Sequence, residues 1–180
     1  MPTVAKDKGV TVRAPDPPKH DTEFAVTSTT FHAGGVIPNK VAFTPCGGEN
    51  VSPHLSWTGF PPETKSFCLT CFDPDAPTGS GFWHWVVANI PARVTSLEEK
   101  AATKGLPVGL VQGYTDYGAS HWGGPCPPPG DPHHRYIFTV YALDIPSIEG
   151  AGPSMGGARL VFSMRGHLLA KGSIEGRFGR

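Results

Sequence analysis

Three apolar runs dominate the chain: Ser66–Phe72 (SFCLTCF), Phe82–Ile90 (FWHWVVANI) and Arg135–Leu143 (RYIFTVYAL). Each is rich in β-branched and aromatic residues and bounded by Pro, Gly or Asp. Each is also apolar at both odd and even positions, which predicts strands covered on both faces. In the first run Phe67, Leu69 and Cys71 share one face. EFAVTSTTF and KVAF predict two further short strands, and His54–Trp57 predicts another inside the ordered loop ENVSPHLSWTGFPPETK. TSLEEKAAT (95–103) predicts a short helix. ARLVFSMRGHLLA (158–170) predicts a longer one, with Leu160, Val161, Met164 and Leu168 at helical spacing, although Gly166 works against it.

Before Phe24 the pattern is different. Residues 1–23 are polar and Pro-rich (VRAPDPPKHD) and predict an extended N-terminal arm, followed by one domain over residues 24–180. The 23 glycines and 20 prolines make up nearly a quarter of the 180 residues. So much turn chemistry predicts a mainly β fold of short strands joined by structured loops. The longest such loop, Gly113–His133 (GYTDYGASHWGGPCPPPGDPH), lies between the second and third runs. A loop of this length in a compact domain is usually functional or disordered, and its aromatics and stiff prolines favour order. Its Tyr114, Tyr117, His121 and Trp122 have two readings, packing the loop onto the strands or presenting an aromatic interaction surface.

Charge adds little. Fifteen basic residues balance fifteen acidic ones, so no large field points to nucleic acid, and any membrane association is at most peripheral. There is no 18-residue apolar run, signal peptide or lipidation box, from which a cytoplasmic location is expected. The four cysteines are Cys46, Cys68, Cys71 and Cys126. Cys68 and Cys71 form a CxxC, but they lie within a strand, where positions i and i+3 face opposite sides. The cysteines are therefore expected to be core thiols.

The candidate chemistry clusters at the ends of the three core runs. Asp73 ends the first, and FDPDAP (72–77) holds Asp73 and Asp75 between prolines that favour extended backbone. Continued extension points both carboxylates the same way. His84 stands between two tryptophans in the second run. The third begins with His133-His134-Arg135-Tyr136, where His134 and Tyr136 share parity. Adjacent strands would gather these ionisable groups into one small pocket beside the Gly/Pro loop.

DPDAP, HWVVANIP and WGGPCPPPGDPHHRY, in this order and spacing, resemble the phosphatidylethanolamine-binding protein family, in its bacterial and archaeal Raf-kinase-inhibitor-like branch. NVSPHLSW (50–57) and the tail HLLAKGSIEGRFGR also match family segments. The resemblance runs from about Phe24 to Arg180. It implies a β-sandwich of a large and a smaller antiparallel sheet with a few peripheral short helices. It also implies a small pocket for phosphate, phosphoethanolamine or a similar anion, without established catalysis, cofactor or metal. Carried over residue by residue, the pocket comprises Asp73, Asp75, His84, His134 and Tyr136, walled by Gly124 and Pro125, with His133 a weaker candidate. Family members are reported as inhibitors of kinases and serine proteases, and bacterial relatives often form homodimers. Eukaryotic members carry a C-terminal helical segment beside the pocket, whereas this chain stops at Arg180. A more open pocket, or one completed by a second subunit, is therefore expected.

Two carboxylates repel phosphate, so the expectation is that Asp73 and Asp75 orient and charge two histidines, which then donate to the anion. Two Asp and two His equally suit a divalent metal. From the residues alone a metal-dependent hydrolase or transferase is the alternative; the resemblance favours anion binding.

Overall fold

A computed structural model describes residues 16–180. Eight strands build two antiparallel sheets. The smaller has β1 (Ala25–Thr27), β2 (Leu55–Thr58) and β5 (Ser96–Leu97) in the order β1-β2-β5. The larger comprises β3 (Ser66–Asp73), β4 (Phe82–Pro91), β6 (Val111–Gln112), β7 (His134–Leu143) and β8 (Leu168–Phe178), in the order β6-β4-β3-β7-β8. The expected sandwich of unequal antiparallel sheets is what forms.

The three apolar runs become β3, β4 and β7, the centre of the large sheet, and their two-sided apolarity has a simple cause. One face meets the small sheet: Phe67, Leu69, Cys71, Trp85, Tyr136 and Phe138 pack with Leu55, Trp57 and Leu97. The other lies under α2 (Gly157–Ser163) and nearby loops, where Cys68, Val86 and Ala88 meet Met155, Leu160 and Met164. The two thiols of the CxxC thus enter opposite cores. Burial raises the pKa of Cys68 to about 12 and that of Cys71 well above its ordinary value, keeping both as inert thiols.

Cys46 and Cys126, expected as core thiols, instead form a disulfide, with Cα atoms 5.7 Å apart at a sequence separation of 80. Cys46 ends a 3₁₀ turn and Cys126 lies in the Gly/Pro loop, a proximity invisible in the chain itself. Disulfides persist mainly in oxidising compartments, so the bridge weighs against the cytoplasmic expectation. No helix among the described residues is long and apolar enough to cross a membrane.

Three local expectations change. KVAF forms no strand: two 3₁₀ turns, Asn39–Val41 and Thr44–Cys46, occupy the segment, the second with Pro45 in its first turn. Of TSLEEKAAT only α1 (Ala101–Lys104) is helical, because Leu97 pairs with Leu55 on β2 and is buried between the sheets. The long helix stops at Ser163, since Gly166 takes a left-handed turn (φ 77°) and Leu168 begins to pair with β7. The resulting β8, the longest strand, is hidden in the sequence because glycines fill inward positions. A Cβ on Gly172 would lie 2.2 Å from the Phe24 carbonyl, and one on Gly176 would lie 2.6 Å from Ile37.

The first fifteen residues of the expected arm lie outside the described residues. Residues 16–23 run beside β8, with Lys19 and His20 donating their backbone N–H groups to the Leu168 and Leu169 carbonyls. Arg165–Asp16 and Lys19–Asp144 ion pairs fix this stretch further.

Candidate functional site

The end of β3, the starts of β4 and β7 and the Gly/Pro loop enclose a cavity of about 240 Å³. Asp73, His84, His134 and Tyr136 line it together with Phe82, Tyr117, Cys126, Pro127 and Pro128.

Asp73 is buried, and each of its oxygens is committed. Oδ1 accepts from the backbone N–H groups of Asp75 (2.8 Å) and Ala76 (3.1 Å), while Oδ2 meets His134 Nδ1 at 2.7 Å. The Oδ1 bonds form an Asx-type turn, which is why the expected extended continuation fails. The chain bends at Pro74, and Asp75 leaves the cavity. Its carboxylate makes a two-pronged bridge to Arg135, Oδ2 to Nε at 2.9 Å and Oδ1 to Nη2 at 2.7 Å. Arg135 holds it down to a pKa of about 2. The two aspartates therefore do different things, one inside the cavity and one on its outer rim.

His84 owes its position to a β-bulge. Along the β3–β4 ladder Cys71 pairs with Trp85 and Phe72 with Trp83, leaving His84 without an opposite residue. The extra residue turns the His84 ring to the same side as Trp85, so that both approach Trp122 (6.4 and 5.5 Å between ring centres). His84 is buried, and its Nδ1 lies 2.7 Å from the Gly123 carbonyl. A carbonyl only accepts, so Nδ1 carries the hydrogen. Burial pushes the ring down to a pKa of about 4, despite the Gly123 carbonyl and the Asp73 charge. At neutral pH it is uncharged, and Nε2 is its acceptor.

His134 has the opposite fate. Burial is the largest influence and pulls it down. The hydrogen bonds and charges of Asp73 and then Asp131 together outweigh that pull and raise it above its ordinary value. Its nitrogens face one carboxylate each, Nδ1 to Asp73 and Nε2 to Asp131 Oδ2 at 3.3 Å. The expected pair of imidazolium groups is thus reduced to one, because burial without a carboxylate partner defeats protonation at His84.

Tyr136 is fully buried, yet its hydroxyl has no hydrogen-bond partner. Burial, reinforced by Asp73, keeps the phenol protonated; only the Cys126 backbone, approaching outside good hydrogen-bond geometry, pulls the other way. Tyr117 is also held neutral by burial, and it donates to the Gly124 carbonyl at 2.7 Å.

Gly124 and Pro125 do not line the cavity. They hold its wall from behind: Gly124 N–H donates to Asn50 Oδ1 (2.7 Å), and Phe43 N–H donates to the Pro125 carbonyl (3.0 Å). A Cβ on Gly124 would lie 2.0 Å from the Val41 carbonyl, so no larger residue fits. His133 is exposed and faces an outer cleft. The four loop aromatics divide between the two readings: Tyr114 and His121 are exposed, Tyr117 lines the cavity and Trp122 lies in the core.

Phe82, Tyr117 and Asn50 were not predicted as site residues. Phe82 begins the second apolar run and reads there as core. Tyr117 and Asn50 reach the site only through loop folding, with no periodicity to mark them. Arg180 also closes on the loop, since its Nε donates to the Pro127 carbonyl (2.7 Å) and its backbone oxygen accepts from Gly130 N–H (2.9 Å). No cluster of three or more His, Cys, Asp or Glu among the described residues is arranged to hold a metal ion.

Comparisons with known proteins agree with this architecture. The family profile described as phosphatidylethanolamine-binding protein matches residues 27–179. The chain is 45% identical over 158 residues to the UPF0098 protein YbhB of Escherichia coli, covering 84% of this chain and 97% of that one. It is likewise 45% identical over 152 residues to a UPF0098 protein of Methanothermobacter thermautotrophicus, covering 83% and 95%. The crystal structure of E. coli YbcL, described as a new member of the mammalian PEBP family, superposes with a TM-score of 0.84 at 41% identity, covering 88% of this chain and 99% of YbcL. With that profile spanning most of the chain and the same sandwich in a close relative, the chain belongs to the phosphatidylethanolamine-binding protein family.

Proposed function

We propose that the cavity binds a small oxyanion, either phosphate or a phosphate-bearing headgroup such as phosphoethanolamine. The observation that carries this reading is the neutral Tyr136 hydroxyl, buried and without a partner in a cavity that also holds the protonated His134. A buried donor left unmade is costly, and an oxyanion oxygen would satisfy it. His134 supplies charge, while Asp73 fixes the ring and keeps it protonated. Neutral His84 adds an acceptor at Nε2, which suits an anion that still carries a P–OH proton. Asp73 thus acts on the ligand through His134.

This is a binding function, and neither the family description nor the relatives' names are those of enzymes. The wider role we infer, regulation of a kinase or serine protease by the surface around the cavity, rests on family resemblance. Tyr114 and His121 are the exposed aromatics of the Gly/Pro loop available for it.

Calorimetric titration with inorganic phosphate tests the reading. Tyr136→Phe should weaken binding by about tenfold or more, the worth of one hydrogen bond to a charged group. Affinity should fall as pH rises through the raised His134 pKa. Equal affinity in wild type, Tyr136→Phe and His134→Gln would place the ligand elsewhere.

A further inference from the structure

His134 stands between two cavities. It lines the inner one with Asp73 and also an outer cleft with Asp75, Asp131, His133, Arg135 and Arg177. A protonated imidazole has two N–H donors, and here both are spent on carboxylates.

The two carboxylates are not equivalent. Asp73 is 3% exposed and lies 2.7 Å from Nδ1, and its other oxygen is pinned by two backbone N–H groups. Asp131 is 39% exposed and lies 3.3 Å from Nε2. It sits in the Gly/Pro loop directly after Gly130, whose φ of 86° marks a left-handed turn, and before Pro132. Asp73 is therefore a fixed partner and Asp131 a replaceable one that can turn to solvent at little cost.

An oxyanion in the cavity needs the strongest donors available, and His134 Nε2–H is already occupied. We propose that Asp131 is a built-in competitor for the anion: its carboxylate occupies His134 Nε2–H in the free protein and must leave when the ligand binds. The inference rests on the oxyanion reading of the cavity. It makes Asp131 a determinant of affinity that does not touch the bound ligand. Its departure also removes a negative charge from beside an incoming anion, so exchange of one acceptor for the other is favoured over both binding together.

The test is calorimetric titration of inorganic phosphate into the full chain and three variants. Asp131→Ala should tighten the apparent Kd by about fivefold, the scale of a partly exposed ion pair. Asp21→Asn controls for net charge and should leave it unchanged. Asp21 lies beside the start of β8, between His20 on Leu169 and Phe24 on Lys171, whereas His134 pairs with Phe178 at the far end. Tyr136→Phe reports on the cavity itself. Tighter binding in Asp131→Ala together with weaker binding in Tyr136→Phe supports the competitor. Weaker binding in Tyr136→Phe with unchanged or weaker binding in Asp131→Ala overturns it while leaving the oxyanion site intact. Unchanged binding in Tyr136→Phe removes the site, and the competitor with it.

Discussion

His84 and His134 show how little a residue's type decides about its charge. Both are buried in the same cavity wall, but only His134 has carboxylates on its nitrogens. The difference is measurable as stability. The folded pKa of His84 is depressed to about 4, whereas an unfolded histidine titrates near about 6.5. As pH falls from about 6.5 toward 4, the unfolded chain takes a proton that the folded chain refuses, and stability is lost with a slope approaching one proton. His134, with its raised pKa, contributes stability that is fully present below about 6.5 and lost as pH rises through its folded value. Urea unfolding between pH 4 and 7 should show the acid-side loss in wild type and a shallower one in His84→Gln. Equal slopes would mean that His84 is protonated in the folded state. Such opposite behaviour was not legible in FWHWVVANI or HHRY, since both histidines carry aromatic and polar neighbours in sequence.

At the scale of elements, the site is built by departures from regular structure. A bulge in β4 aims His84, an Asx turn ends β3 and removes Asp75, and a glycine lets the loop press on a 3₁₀ turn. The last is easily probed. In Gly124→Ala the new methyl would meet the Val41 carbonyl at 2.0 Å and strain the Asn50 clamp. A loss of about 1–3 kcal/mol in denaturant unfolding is expected for such overpacking, and no loss would show that the wall can yield. The long regular strands were readable because their apolar runs report burial on both faces. β8 was not, because Gly172 and Gly176 stand where an alternating pattern needs apolar side chains. The helix expected over 158–170 borrowed its last residues from that hidden strand.

At the scale of the whole molecule, the Cys46–Cys126 bridge ties the cavity loop to the turn after Phe43, closing a long stretch of chain. A paired Cys46→Ser and Cys126→Ser change should cost about 2–4 kcal/mol in denaturant, chiefly by freeing the unfolded chain. Thiol titration of the unfolded wild type should find two free groups among the four cysteines, Cys68 and Cys71. Four reactive thiols would show that the bridge is absent. The sequence by itself determined a mainly β fold with three central strands: the two-sided apolar runs need cover on both faces, and Gly and Pro mark the turns between them, while the sandwich of two unequal sheets was implied by the family resemblance. It also determined that Asp73, His84, His134 and Tyr136 meet, because they stand at strand ends that antiparallel pairing brings together. Tertiary structure alone decided which acid faces inward, which histidine is charged, which cysteines pair and what occupies His134 Nε2. Each of these depends on distances of a few ångströms between residues far apart in the chain, and local pattern carries no record of them.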